Sequence, residues 1–325
     1  MELRKVQRTV SGTFFVSLPK EWAERVGLSK GTALAMSESI DGQLCLFTQH
    51  DEERTHLGVV LKPSPYLSRE IVGKYLLGYD EIRVEAKGRI SSEERALIKE
   101  TSNRVIGLEI VEEDFASIVL QSLLGSASSP ETILRREYNI ASSMHRDAIN
   151  AFLDGDFHLA RNVIARDVET NRFYFLLVRT LRTLIQNPSL GEKWKIRSID
   201  CLDYRLCASF VEAIGDRAGE LACKTLALKD AEISREVSQL IGMFHSKVFE
   251  SQEKALKAFF NRSVILAEEV KDVKVKIEAM LHEIESVVKK QPTEIVPIIL
   301  AMASSIYRIF GHCVDIADLV MPREF

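Results

Sequence analysis

The sequence predicts a multi-domain, mainly α protein: a small N-terminal β module, a short α/β middle region and a C-terminal pair of three-helix bundles. Three observations predict it. From 131 to 320 apolar residues recur at helical spacing, interrupted only at turn-like residues. That stretch divides into two sets of three helices with a period of about 100 residues. Ahead of it, strand and helix patterns alternate over 55–124, and β-rich runs fill most of 1–48.

Composition sets the bounds. The chain has 325 residues, 46% hydrophobic and 28% charged, with a net charge of −4, so any nucleic-acid surface must be local. The 5 cysteines form no CxxC pair, which fits reduced thiols in a cytoplasmic protein. No long apolar run opens the chain, and "IVPIILAMASSIYRIFG" is read as too short and too interrupted to cross a bilayer.

In the first module "RKVQRTV" and "TFFVSLP" read as strands around a Ser11-Gly12 turn. Pro19 opens a short helix that Gly27 closes, and Asp41-Gly42 turns a second hairpin. A fragment of this size buries little surface alone and needs a partner chain. Arg4, Lys5 and Arg8 fall on one strand, with Lys20 and Arg25 on the helix. They suit phosphate contacts, or else a solvated basic edge. Trp22 and Phe14 read as core or dimer contacts.

The middle region reads as strand, helix, strand, helix and two strands, with Ser91 or Ser92 as a helix N-cap and no Gly-rich phosphate loop. It is expected to be a spacer or dimerisation domain. "GSASSPE" reads as a linker.

Six helices follow, most of them about 25–35 residues long, broken near 154–156, 187–191, 229–230, 261 and 291–292. In the third helix, "SFVEAIGDRAGELACKTLAL", Glu212 and Asp216 stand four apart on one face beside Gly215 and Gly219. Asp167 and Asn171 repeat the spacing on the second helix. Convergent carboxylates are costly unless paired or bound to a cation. Oxygen ligands favour hard cations, or iron and manganese. The glycines are expected to let the helices approach closely. The plainer readings are a solvated acidic face, or acids neutralised by Arg166, Arg205 and Arg217. His145 reads as a surface or core-edge residue, and "FYFLLV" as core.

"DYRLCASFVEAIGDRAGELA" and "ARDVETNRFYFLLVRTL" resemble the repeated helices of the PhoU phosphate-uptake regulators, and the resemblance spans 131–320. It implies two three-helix bundles related by pseudo-two-fold symmetry, carrying a metal ion or cluster, commonly iron or zinc. The implied ligands are Asp167, Asn171, Glu212 and Asp216 in the first repeat, and Glu268 (or Glu269), Asp272 and His312 in the second. Arg308 stands there where an acid is expected. "GTFFVSLPKEWAERVGLSKGTAL" resembles the AbrB/SpoVT family of swapped-hairpin, DNA-binding homodimers. Together the halves look like archaeal-type PhoU regulators. The resemblance implies DNA contacts by the first module, and a phosphate transporter or a signalling kinase as partner of the helices. The sequence shows no catalytic triad or nucleotide fingerprint, so a regulator or an adaptor is expected and an enzyme is not. A carboxylate-bundle metalloenzyme would use Glu-x-x-His pairs, which the predicted sites lack.

Overall fold

The computed structural model describes residues 3–38, 42, 44–48, 57–124, 128–187, 191, 193–229 and 231–321. The chain forms two units, Met1–His56 and Leu57–Phe325.

In the first unit β1 (Gln7–Arg8) pairs antiparallel with β2 (Phe14–Phe15). Gly12, at φ +95°, takes the left-handed turn position. Helix α1 (Lys20–Arg25) follows, with Pro19 at its N-cap, one residue before the first helical position. Gly27, at φ +72°, ends the turn after it. β3 (Leu34–Glu38) and β4 (Leu44–Thr48) form a second antiparallel pair; Asp41, predicted at its turn, lies outside the described residues. In this unit Val10, Phe14 and Met36 are mostly exposed.

The second unit begins with a four-stranded sheet in the order β5-β6-β8-β7. β5 (Gly58–Leu61) runs parallel to β6 (Glu81–Glu85), joined through α2 (Leu67–Leu76). After α3 (Ser92–Asn103), β7 (Leu108–Glu113) and β8 (Ser117–Ser122) complete an antiparallel half. Ile82 and Val84 alternate with exposed or half-exposed charges on β6 and bury against Leu67, Ile71 and Tyr75 of α2. Ser91 and Glu94 form a reciprocal cap on α3.

The helices are α4 (Pro130–Asp154), α5 (Phe157–Gln186), α6 (Asp200–Ala227), α7 (Arg235–Asn261), α8 (Val264–Asp272), α9 (Lys274–Val288) and α10 (Val296–Asp318). Ser129 caps α4 and Pro130 takes its first position; 125–127 of the predicted linker lie outside the described residues. The expected fifth helix is two helices, interrupted at Val273, where ψ is −3°. No proline or glycine marks that break, so tertiary packing decides it. α4, α5 and α6 pack as one bundle and α7 to α10 as the other. α6 also packs on α10 and α4 on α7, so one continuous core runs from Ile133 to Ala317.

The apolar segment near the C-terminus is longer than expected. It forms α10, 23 residues, which by length and composition alone could cross a bilayer. Its apolar face, including Ile299, Met302, Ile306 and Phe310, is buried in the shared core.

The middle region docks on the helices through Arg179 of α5. Its buried guanidinium donates to the carbonyls of Tyr75 and Tyr79, the latter at 2.9 Å, and lies 4.8 Å from the centre of the Tyr75 ring. A cation there meets the negative end of α2. Phe175, in the "FYFLLV" run, packs against the sheet core rather than the bundle core.

Candidate functional site

The first-repeat acids lie where α4, α5 and α6 meet. Gly215 lets α5 approach: a Cβ on it would stand 3.1 Å from Cγ2 of Thr170. Gly219 has nothing within 4 Å of such a Cβ, and neither does Gly311. One glycine of the pair therefore serves the contact expected of both.

Asp167, Glu212 and Asp216 are electrostatic neighbours. Burial, then repulsion from Asp216 and Asp167, raises the Glu212 carboxyl to about 7, against the pull of Arg205. Asp216 is raised by burial and then by Asp167. Oδ1 of Asp167 is buried and has no hydrogen-bond partner among the described residues. Asn171 behaves otherwise than expected: its amide donates to Oδ2 of Asp167 at 3.3 Å and to the Asp167 carbonyl at 3.2 Å. Its amide group faces the acid as a hydrogen-bond donor.

Sequence reasoning missed Glu137. It is fully buried on α4, and neither carboxyl oxygen has a partner among the described residues. Burial and then Glu212 push its pKa well above the usual carboxylate range, with Arg205 opposing. The available signal was an acid inside the apolar stripe Ile133, Leu134, Ala141, Met144.

The arginines divide differently than anticipated. Arg205 is the one that acts on Glu137 and Glu212, and it lies 4.6 Å from the centre of the Tyr174 ring. Arg166 turns to Asp147 and, at 3.0 Å, to Ser143. Arg217 pairs with Glu220 and also acts on Asp216, as anticipated.

The second-repeat residues are not drawn together in the same way. Glu268 is exposed and pairs with Lys271 at 3.0 Å, and Lys271 also reaches Asp318 at 3.2 Å. Glu269 pairs with Lys254 at 3.0 Å. Asp272 ends α8, exposed. His312 stacks on Phe210 of α6, 6.0 Å between centroids, and its Nδ1 stands 3.4 Å from Asp315. Among the described residues no set of three or more His, Cys, Asp or Glu is gathered as a metal site. By charge and by its orphaned buried oxygens the first repeat suits a cation. The Lys271 pairing does not suit one at Glu268.

His145 is a core residue, not a surface one. It is fully buried, with Nδ1 2.8 Å from Oε1 of Gln252 and Nε2 3.1 Å from Nδ1 of His245. The two histidines are 100 positions apart and face each other across α4 and α7, which makes the repeat symmetry visible in a contact.

In the N-terminal unit Arg8 lies 5.3 Å from the centre of the Phe14 ring, and Lys20 pairs loosely with Glu24 at 3.7 Å. Arg4, Lys5, Arg8, Lys20 and Arg25 are all solvent-accessible.

Fold and site together define a tandem three-helix-bundle protein with an acidic face in its first repeat and a separate β module ahead of it. The chain belongs to the PhoU domain family, whose model matches residues 134–225 and 243–320. Residues 7–53 match the family described as antidote-toxin recognition MazE, bacterial antitoxin, an AbrB-like domain. Among solved structures, PhoU from Pseudomonas aeruginosa is similar, with a TM-score of 0.53 at 21% identity over 59% of this chain and 93% of that one. The phosphate transport system regulatory protein PhoU from Streptococcus pneumoniae has a TM-score of 0.53 at 14% identity over 59% of this chain and 91% of that one. No curated protein matches the chain.

Proposed function

We propose that this protein is a non-enzymatic, cytoplasmic regulator of phosphate uptake or phosphate signalling. It carries a cation on its first-repeat acids and binds DNA as a homodimer through its N-terminal module. The observation that carries the reading is the family match over both helical repeats. The partner of the helices is then a phosphate transporter component or a signalling kinase. The direct test is phosphate uptake by cells lacking the gene under phosphate-replete conditions. Raised uptake, reversed by the intact chain, is expected; unchanged uptake overturns the regulatory reading.

Asp167, Glu212 and Asp216 would hold the cation, iron or zinc, whose charge offsets their mutual repulsion. Asn171 donates a hydrogen bond to Asp167, and the charge of Arg205 offsets part of that on Glu212. We expect Glu212→Ala with Asp216→Ala to lose most of the bound metal, and Glu268→Ala with Asp272→Ala to lose little, by elemental analysis. Equal losses would remove the asymmetry between the repeats.

For the first module, the support is its match, its basic residues and the exposure of large apolar side chains such as Val10 and Phe14. Exposed Phe14 and Met36 are covered when two copies associate. Neutralising Arg4, Lys5 and Arg8 should weaken duplex DNA binding. It should also flatten the salt dependence, by about one unit of slope for each phosphate no longer neutralised. Salt-independent, unchanged retention would favour an adaptor whose β module only dimerises.

A further inference from the structure

α6 and α10 meet along a second face, and their charge there is the reverse of the acidic one. A groove of about 430 Å³ lies between them. Arg217 and Lys224 line it from α6 and Arg308 from α10, with Ser304 and Ser305 beside Arg308. Glu220 is the carboxylate on the same wall. Its oxygens are engaged by Nη1 of Arg217 and, at 3.2 Å, by the Ser305 hydroxyl. The groove thus carries three cations against one acid, in a protein whose net charge is −4.

One donor beside it is unsatisfied: Nε of Arg217 is buried and finds no acceptor among the described residues. His312, one turn beyond Arg308, has its Nδ1 3.4 Å from Asp315. Arg217 and Arg308 are both electrostatic neighbours of His312. Both guanidiniums therefore act on one spot. The repeat adds a reason: Arg308 takes the place that Glu212 holds in the first repeat.

We infer that this groove binds a small anion carrying more than one phosphate. Guanidinium groups match phosphate oxygens in geometry, and an unpaired guanidinium N–H beside clustered cations calls for an anion. The volume is that of a small-molecule site. Arg217 and Lys224 are seven residues apart, about 10 Å along the helix, so one phosphate group cannot serve both ends. The groove is lined by none of Asp167, Glu212 and Asp216, although Arg217 and Glu220 on its wall also act on Asp216.

The test is calorimetric titration of the full chain, in chelator, with pyrophosphate, tripolyphosphate and inorganic phosphate. Saturable binding is expected, at least about tenfold tighter for the condensed phosphates than for inorganic phosphate. Arg308→Ala, at an exposed position that the fold does not need, should weaken it by about tenfold or more, and Lys276→Ala on α9 should not. Cys223 on the groove wall gives a second readout. It is the exposed one among Cys201, Cys207, Cys223 and Cys313, and bound pyrophosphate should slow its alkylation, followed by peptide mass mapping. Absence of saturable binding, equal affinity for phosphate and pyrophosphate, or affinity unchanged in Arg308→Ala would each overturn the proposal.

Discussion

Glu137 and Glu212 show how single residues load this fold with charge that it does not discharge internally. Glu212 is raised to about 7, so its ionised form is disfavoured in the native state. The penalty is absent at low pH, accrues as pH rises through the ordinary carboxylate range, and is complete above about pH 7. The Glu212 contribution therefore falls from pH 5 to pH 8 in metal-free protein, and Glu212→Gln should raise stability at pH 8 relative to pH 5 when compared with the parent chain, in thermal melts taken in chelator. The histidine pair acts in the opposite sense. Burial, with His245 as neighbour, lowers His145 to about 3, and burial with Arg146 lowers His245 to about 4. Stability held by the neutral pair is present above about pH 6.5 and is lost as pH falls toward 4. His145→Gln should flatten this acid limb, and an acid limb left unchanged would assign the loss to other groups.

At the scale of elements, two glycines of one helix separate packing from propensity. Gly219→Ala meets open space and removes a helix-interior glycine, so it should stabilise by about 0.5–1 kcal/mol. Gly215→Leu drives a side chain into Thr170 and should destabilise by about 1–3 kcal/mol or more. Urea midpoints of the two variants should move in opposite directions. Arg179 joins two elements that share no sheet or bundle. Arg179→Ala takes one donor from the Tyr75 carbonyl, which keeps the backbone N–H of Gly78, removes the guanidinium from the Tyr79 carbonyl and leaves the Asp80 carboxylate without this cation. A loss of about 2–4 kcal/mol is expected, with faster amide exchange at the end of α2.

For the whole molecule, the division at His56–Leu57 sets the expected fragments. A fragment of 57–325 should fold cooperatively by itself, because the sheet core and the bundle core both lie within it. A fragment that starts at 128 should melt at a lower temperature, since it exposes Phe175 and strips Arg179 of its acceptors. The fragment of 1–56 should associate or remain unfolded, as it leaves Val10, Phe14 and Met36 exposed. A monomeric, cooperatively folded 1–56 would contradict this.

Periodicity by itself determined most of the architecture: the helical span, its duplication, the mixed middle region and the β-rich start. These are properties of local sequence, in which apolar spacing and turn residues state where each element begins and ends. The sequence also placed Asp167, Glu212 and Asp216 on facing helices, because a four-residue spacing fixes a helix face. Only the tertiary structure decided what each face meets. The break at Val273 has no local marker. Asn171 gives its amide to Asp167, and Lys271 claims Glu268, because these partners are set by packing between helices or by side-chain choice within a turn. Glu137 and His145 were legible as residue types but not as buried groups. Arg308 read as a defect in a repeated motif, and becomes one wall of a basic groove only when α6 and α10 lie side by side. Burial and pairing are properties of the assembled fold, and they depend on neighbours that lie about a hundred residues away in the chain.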